Sequence, residues 1–194
     1  TALAATLFTA LLALHLATVA IAASRYLRKA PAAPLRRPPV TVLRPVCGLD
    51  RFDAETLEST FLLNYPDYEI LFCAAVAEDP ACAAVRAMMA RHPDRRARLL
   101  VGEDRVTGNP KLNNLLKGWE AAQGSHVAMV DANLLLPPDY LDRLLQVWTP
   151  DCALVTSPPA GIRAENLWGA VECAFLNGFQ ARWQLVADSL GLGF

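Results

Sequence analysis

The first 24 residues are uncharged and mostly apolar, and the rest of the chain alternates between short apolar runs and helical patterns. About 20 residues of helix are enough to cross a hydrocarbon core of about 30 Å. Basic residues beside a span stay on the cytoplasmic side of a membrane. The pattern therefore predicts a transmembrane anchor over 1–24 with the following domain in the cytoplasm. The basic residues of its flank are Arg25, Arg28, Lys29, Arg36 and Arg37.

A cleaved signal peptide is the alternative interpretation of this segment. Ala20-Ile21-Ala22 resembles a cleavage site. However, the apolar run is longer than a usual signal core, no basic residue precedes it, and the basic flank lies on the wrong side for export. Residues 25–39 are predicted to form a basic linker, because their prolines prevent a helix from continuing.

From residue 40 onward, β-branched and apolar runs alternate with segments of helical periodicity. Such alternation predicts an α/β domain with a mainly parallel sheet flanked by helices, whose ligand lies at the carboxyl ends of the strands. Pro45 is expected to end the first strand and Gly124 to close the third helix. The predicted strands are 40–43, 68–74, 97–101, 126–131 and 153–156. The predicted helices are 53–63, 81–91, 111–123, 137–148 and 165–190.

Composition narrows the class of function. A net charge of −1 gives no reason to expect nucleic-acid binding, which would require a basic face. The five cysteines are odd in number, form no Cys-x-x-Cys pair and do not cluster with the three histidines. This argues against a zinc site and against a disulfide framework, and it favours reduced thiols facing the cytosol.

Charged side chains follow three of the predicted strands. Glu78 and Asp79 follow the second, Lys111 begins the helix after the third, and Asp131 ends the fourth. A carboxylate can hold a uracil or ribose donor, a lysine can neutralise a diphosphate, and a second carboxylate can hold a divalent cation that bridges phosphates. Each residue also has an ordinary explanation: Asp79 as a helix N-cap, Asp131 as a turn cap and Lys111 as a solvated side chain.

Two longer runs carry a family resemblance. They are Tyr65-Pro66-Asp67-Tyr68-Glu69-Ile70-Leu71-Phe72-Cys73 and Asn109-Pro110-Lys111-Leu112-Asn113-Asn114-Leu115. Together with the shorter runs 42–45, 48–50, 57–59 and 79–80, they make the chain from about residue 40 resemble the ceramide glucosyltransferase family, including bacterial members and related hopanoid glycosyltransferases. The chain is then expected in the bacterial inner membrane, with 40–194 as the N-terminal, nucleotide-sugar part of a longer domain.

The resemblance implies a GT-A domain that transfers a hexose, expected to be glucose, from a UDP-sugar to a lipid hydroxyl such as that of ceramide. It implies inversion at the sugar and a requirement for Mg²⁺ or Mn²⁺, with Asp131 and Asn133 as the metal residues. Relatives often have an aspartate where Val76 stands, so the acid that contacts the nucleoside is left open between Glu78 and Asp79. The residues expected to bind the nucleotide sugar are Pro45, Glu78, Asp79, Lys111, Asn113 and Asp131.

The general base of the family is expected after Phe194, so no catalytic residue is assigned within this chain. Gln180-Ala181-Arg182-Trp183 is one residue shorter than the family's Gln-x-x-Arg-Trp motif, and we interpret it as part of the helix 165–190. That helix is predicted to pack in the core, or alternatively to lie on the bilayer. The rival functions are a polyprenyl-phosphate or hopanoid sugar transferase and a non-catalytic, membrane-tethered nucleotide-binding module.

Overall fold

The computed structural model describes residues 2–28 and 36–192. Its contacts divide the chain into two units. One unit comprises the chain after the N-terminal helix as far as Trp148, and it contains the sheet. The other combines the N-terminal helix with the chain from Thr149 onward. We describe each unit by itself.

The sheet has four parallel strands in the order β3-β2-β1-β4. The chain steps outward from β1 to β3 and then returns to the other side of β1, so the strand order reverses between β1 and β4. In open α/β sheets this reversal opens a crevice at the carboxyl ends of the two strands. The strands are β1 (Val40–Val46), β2 (Tyr68–Ala74), β3 (Ala97–Val101) and β4 (His126–Met129).

The prediction that Pro45 ends the first strand is wrong. β1 continues to Val46, and Pro45 lies opposite Cys73 of β2. The reason lies on the other side of β1, where the Leu43 carbonyl accepts the Val130 N–H at 2.9 Å as β4 ends. Pro45 faces the same side two residues later, where no strand remains to accept an N–H, so its missing donor costs nothing.

Helices cover both faces of the sheet. The predicted helices 53–63, 81–91, 111–123 and 137–148 are confirmed with shifted ends. Leu57, Phe61 and Val85 pack on one face, and Leu115 of α4 packs against Leu43 on the other. The helices of this unit are α2 (Asp53–Glu58, continued by a 3-10 turn at Ser59–Leu62), α3 (Pro80–Arg91), α4 (Pro110–Ala121) and α5 (Tyr140–Gln146).

Gly124 does not close α4 with a left-handed residue as predicted. The helix is capped at Ala122, and Gly124 has no positive φ. A Cβ at Gly124 would meet the Thr41 nitrogen at 2.4 Å, so a glycine is needed because the chain passes this close to β1. Thr41 Oγ1 accepts the Gly124 N–H at 2.9 Å and donates to Glu69 Oε1 at 2.7 Å. These contacts anchor the turn into β4 at the amino edge of the sheet.

The second unit begins with α1 (Ala2–Leu27), which is long and apolar enough to cross a membrane by length and composition alone. α7 (Ala181–Ser189) packs against it. There the Arg25–Asp188 ion pair measures 2.5 Å, and Arg182 Nη1 lies 2.9 Å from His15 Nδ1.

The predicted helix 165–190 is present, with one interruption. It is built from α6 (Leu167–Phe175), a π-helical turn at Leu176–Gln180, and α7. The prediction that it packs in a core fails for α6 and the π-helical turn, because Trp168, Phe175 and Phe179 are at least half exposed. The predicted strand 153–156 is absent, and Leu154 is exposed. A parallel strand requires a hydrogen-bonded neighbour, and this segment belongs to the unit without the sheet.

Candidate functional site

The candidate site lies at the carboxyl edge of the sheet, where the loops after β1 and β4 leave the crevice. The loop after β4 carries Asp131 and Asn133, and both are exposed. The loop after β1 turns at Gly48, whose φ of 69° is a conformation that favours glycine. The loops after β1 and β4 therefore lie at one edge of the sheet. This agrees with the sequence-based prediction that candidate functional residues follow the strands.

Lys111 and Asp131 form a direct ion pair at this edge. Lys111 lies in the first turn of α4, where the Asn109 side chain caps the helix by accepting the Lys111 and Leu112 N–H groups at 3.0 and 3.3 Å. Both partners remain about half exposed, at 54% and 53% of the side chain. An exposed pair of this kind adds little stability, and both groups are accessible to a ligand.

Arg44 fixes the backbone behind Asp131, and sequence reasoning did not assign it a role. Its side chain is fully buried, and Nη2 donates to the carbonyls of Asp131, Ala132 and Leu134 at 2.7, 3.0 and 2.9 Å. Burial lowers the pKa of Arg44 to about 10, which still leaves the guanidinium cationic at neutral pH. The available signal was an arginine in an otherwise apolar strand.

The segment of α2 and its 3-10 turn supports the same loop. Thr56 Oγ1 donates to the Ala132 carbonyl at 2.6 Å, and Ser59 Oγ accepts the Leu136 N–H at 3.0 Å. On its other side, Arg44 Nη1 donates to the Thr56 carbonyl at 2.8 Å and to the Thr60 hydroxyl. Side chains of β1, α2 and the 3-10 turn therefore hold the loop after β4 through hydrogen bonds.

The two acids after β2 differ in what they contact. The Asp79 carboxylate accepts the Gly48 N–H at 3.0 Å with both oxygens, and Oδ1 accepts the Ala81 N–H at 2.8 Å. Asp79 thus caps α3 and ties it to the loop after β1. Glu78 is exposed beside it. The assignment of either acid to the nucleoside stays a prediction, and the geometry favours Glu78 because the oxygens of Asp79 serve the backbone.

Asn113 and Pro45, the other two predicted binding residues, are placed differently. The Asn113 side chain is buried and bonded to Thr107, accepting its N–H at 2.9 Å and donating to its carbonyl at 2.9 Å. It shapes the loop before α4. Pro45 is partly exposed near the end of β1, one residue after Arg44. Direct contact of either residue with a ligand stays a prediction.

Comparison with known proteins identifies the family. The model of glycosyl transferase family 21 matches residues 5–194. The chain belongs to glycosyl transferase family 21.

Curated relatives of this family 21 chain are ceramide glucosyltransferases. It is 32% identical to ceramide glucosyltransferase 1 of Caenorhabditis elegans over 157 residues, which is 80% of this chain and 34% of the relative. It is 34% identical to the ceramide glucosyltransferase of Komagataella phaffii over 108 residues, 54% of this chain and 21% of that relative. The resemblance stated from sequence is confirmed. The chain spans about a third of the first relative and less of the second.

A solved structure shares the fold of the family 21 chain. It is the mannosyltransferase PcManGT of Pyrobaculum calidifontis in complex with GDP-Man and Mn²⁺. The identity is 28%, the TM-score is 0.55, and the match covers 75% of this chain and 41% of that one. The predicted fold class, a parallel sheet flanked by helices, is confirmed.

Asp131 and Asn133 are the side chains predicted to bind a divalent cation. Within the described residues, no group of three or more His, Cys, Asp or Glu side chains is placed to hold a metal. The two side chains offer hard oxygen ligands at an exposed edge. Mg²⁺ is typically bound through one or two carboxylates together with substrate phosphates and water, so this pair fits a cation that arrives with a diphosphate.

Proposed function

We propose that this chain is the nucleotide-sugar-binding part of a membrane-bound glycosyltransferase that transfers a hexose from a UDP-sugar to a lipid hydroxyl such as that of ceramide. The observation that carries the proposal is the Lys111–Asp131 pair at the strand-order reversal, whose aspartate stands on a loop held by buried Arg44. Membership of family 21 and the ceramide glucosyltransferase relatives support the same function.

In the proposed site, Lys111 and Asp131 exchange their present pairing for ligand contacts. The Lys111 ammonium then neutralises the diphosphate as a compact charge. Asp131 and Asn133 would hold Mg²⁺ or Mn²⁺, and the cation would supply stabilisation of negative charge on the departing diphosphate. The ion pair keeps both side chains extended toward the same point before the ligand arrives.

The reaction class proposed is inverting transfer. A general base deprotonates the lipid hydroxyl, which then attacks the anomeric carbon from the face opposite the diphosphate. The proposal assigns this base to no residue of this chain. In this proposal, residues 40–194 supply the donor half of the site.

The direct test is a transfer assay in membranes that contain the full-length protein. Labelled UDP-glucose, UDP-galactose and GDP-mannose are each offered with ceramide, a hopanoid or a polyprenyl phosphate. We expect label to move from UDP-glucose to ceramide. Transfer to the polyprenyl phosphate or the hopanoid supports the rival transferases, and nucleotide binding without any transfer supports the binding module.

The proposal also places the domain in the cytoplasm, since the basic flank of α1 resists translocation and nucleotide sugars are made there. Cys47 is exposed and serves as a native reporter. In spheroplasts, a membrane-impermeant maleimide should label the protein only after the membrane is broken, and Cys47→Ser should reduce that labelling. Labelling of Cys47 in intact spheroplasts would place the domain outside and contradict the orientation.

A further inference from the structure

Arg44 connects two segments that are distant in sequence. Nη1 bonds to the Thr56 carbonyl and the Thr60 hydroxyl of the α2 segment, and Nη2 bonds to the loop after β4. The guanidinium is a planar group with donors at both ends, so it can bridge two partners that a single ammonium cannot reach together.

The loop wraps around one nitrogen of this group. The carbonyls of Asp131, Ala132 and Leu134 all converge on Arg44 Nη2. Converging carbonyl dipoles repel one another, and a buried cation offsets that repulsion more effectively than a neutral donor. With these carbonyls turned inward, the side chains of Asp131 and Asn133 are left exposed at the carboxyl edge.

The arginine is a costly choice if packing alone were its purpose. Its Nε is buried without a hydrogen-bond partner among the described residues. Burying a charge carries a large desolvation penalty, and replacing a whole buried ion pair or triad by well-packed apolar side chains is often neutral or stabilising. The cost is understandable if the group maintains a loop shape that an apolar residue could not.

We propose that Arg44 is the positioning residue of the loop 131–134, and that it sets the affinity for the metal and the diphosphate without touching either. This inference rests on the proposed function. It predicts that both the charge and the two-ended shape of the guanidinium are required, so that Arg44→Lys fails as Arg44→Met does.

The test compares Arg44→Lys and Arg44→Met with Arg98→Met in the full-length protein in detergent. Arg98 is the control because it also donates to a backbone carbonyl, that of Ala121 at the end of α4, at 2.8 Å, and to Glu69 at 3.1 Å, although its side chain is 44% exposed. These contacts lie at the amino edge of the sheet, opposite the loop after β4. Two quantities are measured below the unfolding midpoint: hydrogen exchange of the amides in 130–136, and calorimetric binding of UDP with Mn²⁺.

For both Arg44 variants we expect exchange in 130–136 to rise and UDP–Mn²⁺ affinity to fall by about tenfold or more, the scale of losing one hydrogen bond to a charged group. Arg98→Met should leave both within about twofold, because its contacts lie outside the loop. Thr60→Val, which removes one acceptor of Arg44, should give a smaller change in the same direction and serves if the Arg44 variants do not fold.

Wild-type exchange and affinity in Arg44→Lys would overturn the inference, even if its thermal stability fell. So would an equal loss in Arg98→Met. If the wild-type protein itself binds no UDP with Mn²⁺, the proposed function fails. The exchange measurement then still decides whether Arg44 positions the loop.

Discussion

Two ion pairs stand at opposite edges of the same sheet and look alike from outside. Lys111–Asp131 lies at the carboxyl edge, with side chains 54% and 53% exposed, and Arg96–Asp67 lies at the amino edge, at 60% and 48%. Beneath them they differ. The Asp67 carbonyl accepts the Val40 N–H at the start of β1, whereas the Asp131 carbonyl accepts from buried Arg44.

The difference shows that an exposed ion pair identifies no site by itself. The amino-edge pair sits on backbone that already belongs to ordinary strand pairing. At the carboxyl edge, Asp131 lies on a loop outside the ladder, held by a buried cation at the point where the strand order reverses, and Lys111 reaches it from α4. Location and buried support therefore distinguish a candidate binding pair from a structural one.

Asp131→Asn and Asp67→Asn give the largest expected contrast. Asp131→Asn should lower sugar transfer by about 100-fold or more, equivalent to about 3 kcal/mol of lost charged contacts. Asp67→Asn should leave transfer within about twofold, since its pair is exposed and remote from the crevice. The check is initial transfer rate in membranes at ordinary metal concentration, with folding verified by thermal unfolding. Equal rates in the two variants would remove Asp131 from the site.

Lys111→Ala and Arg96→Ala sharpen the comparison at the cationic partners. Lys111→Ala should weaken UDP-sugar binding by about 1–3 kcal/mol, the loss expected for a charged hydrogen-bond partner. Arg96→Ala should leave the affinity unchanged by calorimetry. A similar affinity in both variants would argue against a phosphate contact from Lys111.

Lys117 is on the same helix as Lys111 but is a poor control. Its ammonium is half-buried and donates to the Asn114 carbonyl at 2.7 Å and to Asn114 Oδ1 at 2.6 Å. Burial lowers the pKa of Lys117. Its removal would disturb α4 directly.

Glu69 tests the amino edge as a stability element. Burial raises the pKa of Glu69. Hydrogen bonds from Thr41, the Gln123 N–H and Arg98 lower it by more than burial raises it, so the pKa lies below the ordinary 4.5. Its stabilising contribution is therefore present above about pH 4.5 and is lost as the pH falls through the lower folded-state value. Glu69→Gln should cost about 1 kcal/mol at pH 7 and should flatten the loss of stability between pH 5 and about pH 3.

Urea unfolding over that pH range measures the effect, and UDP affinity at pH 7 provides the control. An unchanged acid limb in Glu69→Gln would contradict the role of Glu69. A large loss of UDP affinity would contradict the separation of the two edges.

The smallest effects concern the stability of the two ion pairs. Alanine at Lys111 or at Arg96 should change the free energy of unfolding by less than about 1 kcal/mol, since exposed pairs contribute little. The two pairs should thus be equal in unfolding and unequal in ligand binding. A cost well above 1 kcal/mol for Lys111→Ala would show that its main role is in holding the fold.

The sequence predicted those parts of the site that depend on local pattern. Alternating apolar runs and helical patterns placed Lys111 and Asp131 at one edge of a parallel sheet. The role of Arg44 could not be predicted. It depends on a contact with the Asp131 carbonyl, which lies 87 residues later in the sequence. The prediction of a strand at 153–156 was wrong for a similar reason, because a strand exists only where a neighbouring strand pairs with it.

The central claim is that the carboxyl edge, and not the amino edge, binds a nucleoside diphosphate with a divalent cation. The most direct measurement is calorimetric titration of UDP, with and without Mn²⁺, into the full-length wild-type protein, Asp131→Asn and Asp67→Asn. The account predicts Mn²⁺-dependent binding in the wild type and in Asp67→Asn, and loss of the Mn²⁺-dependent part in Asp131→Asn. Binding by Asp131→Asn equal to that of the wild type, with the same Mn²⁺ dependence, would contradict it.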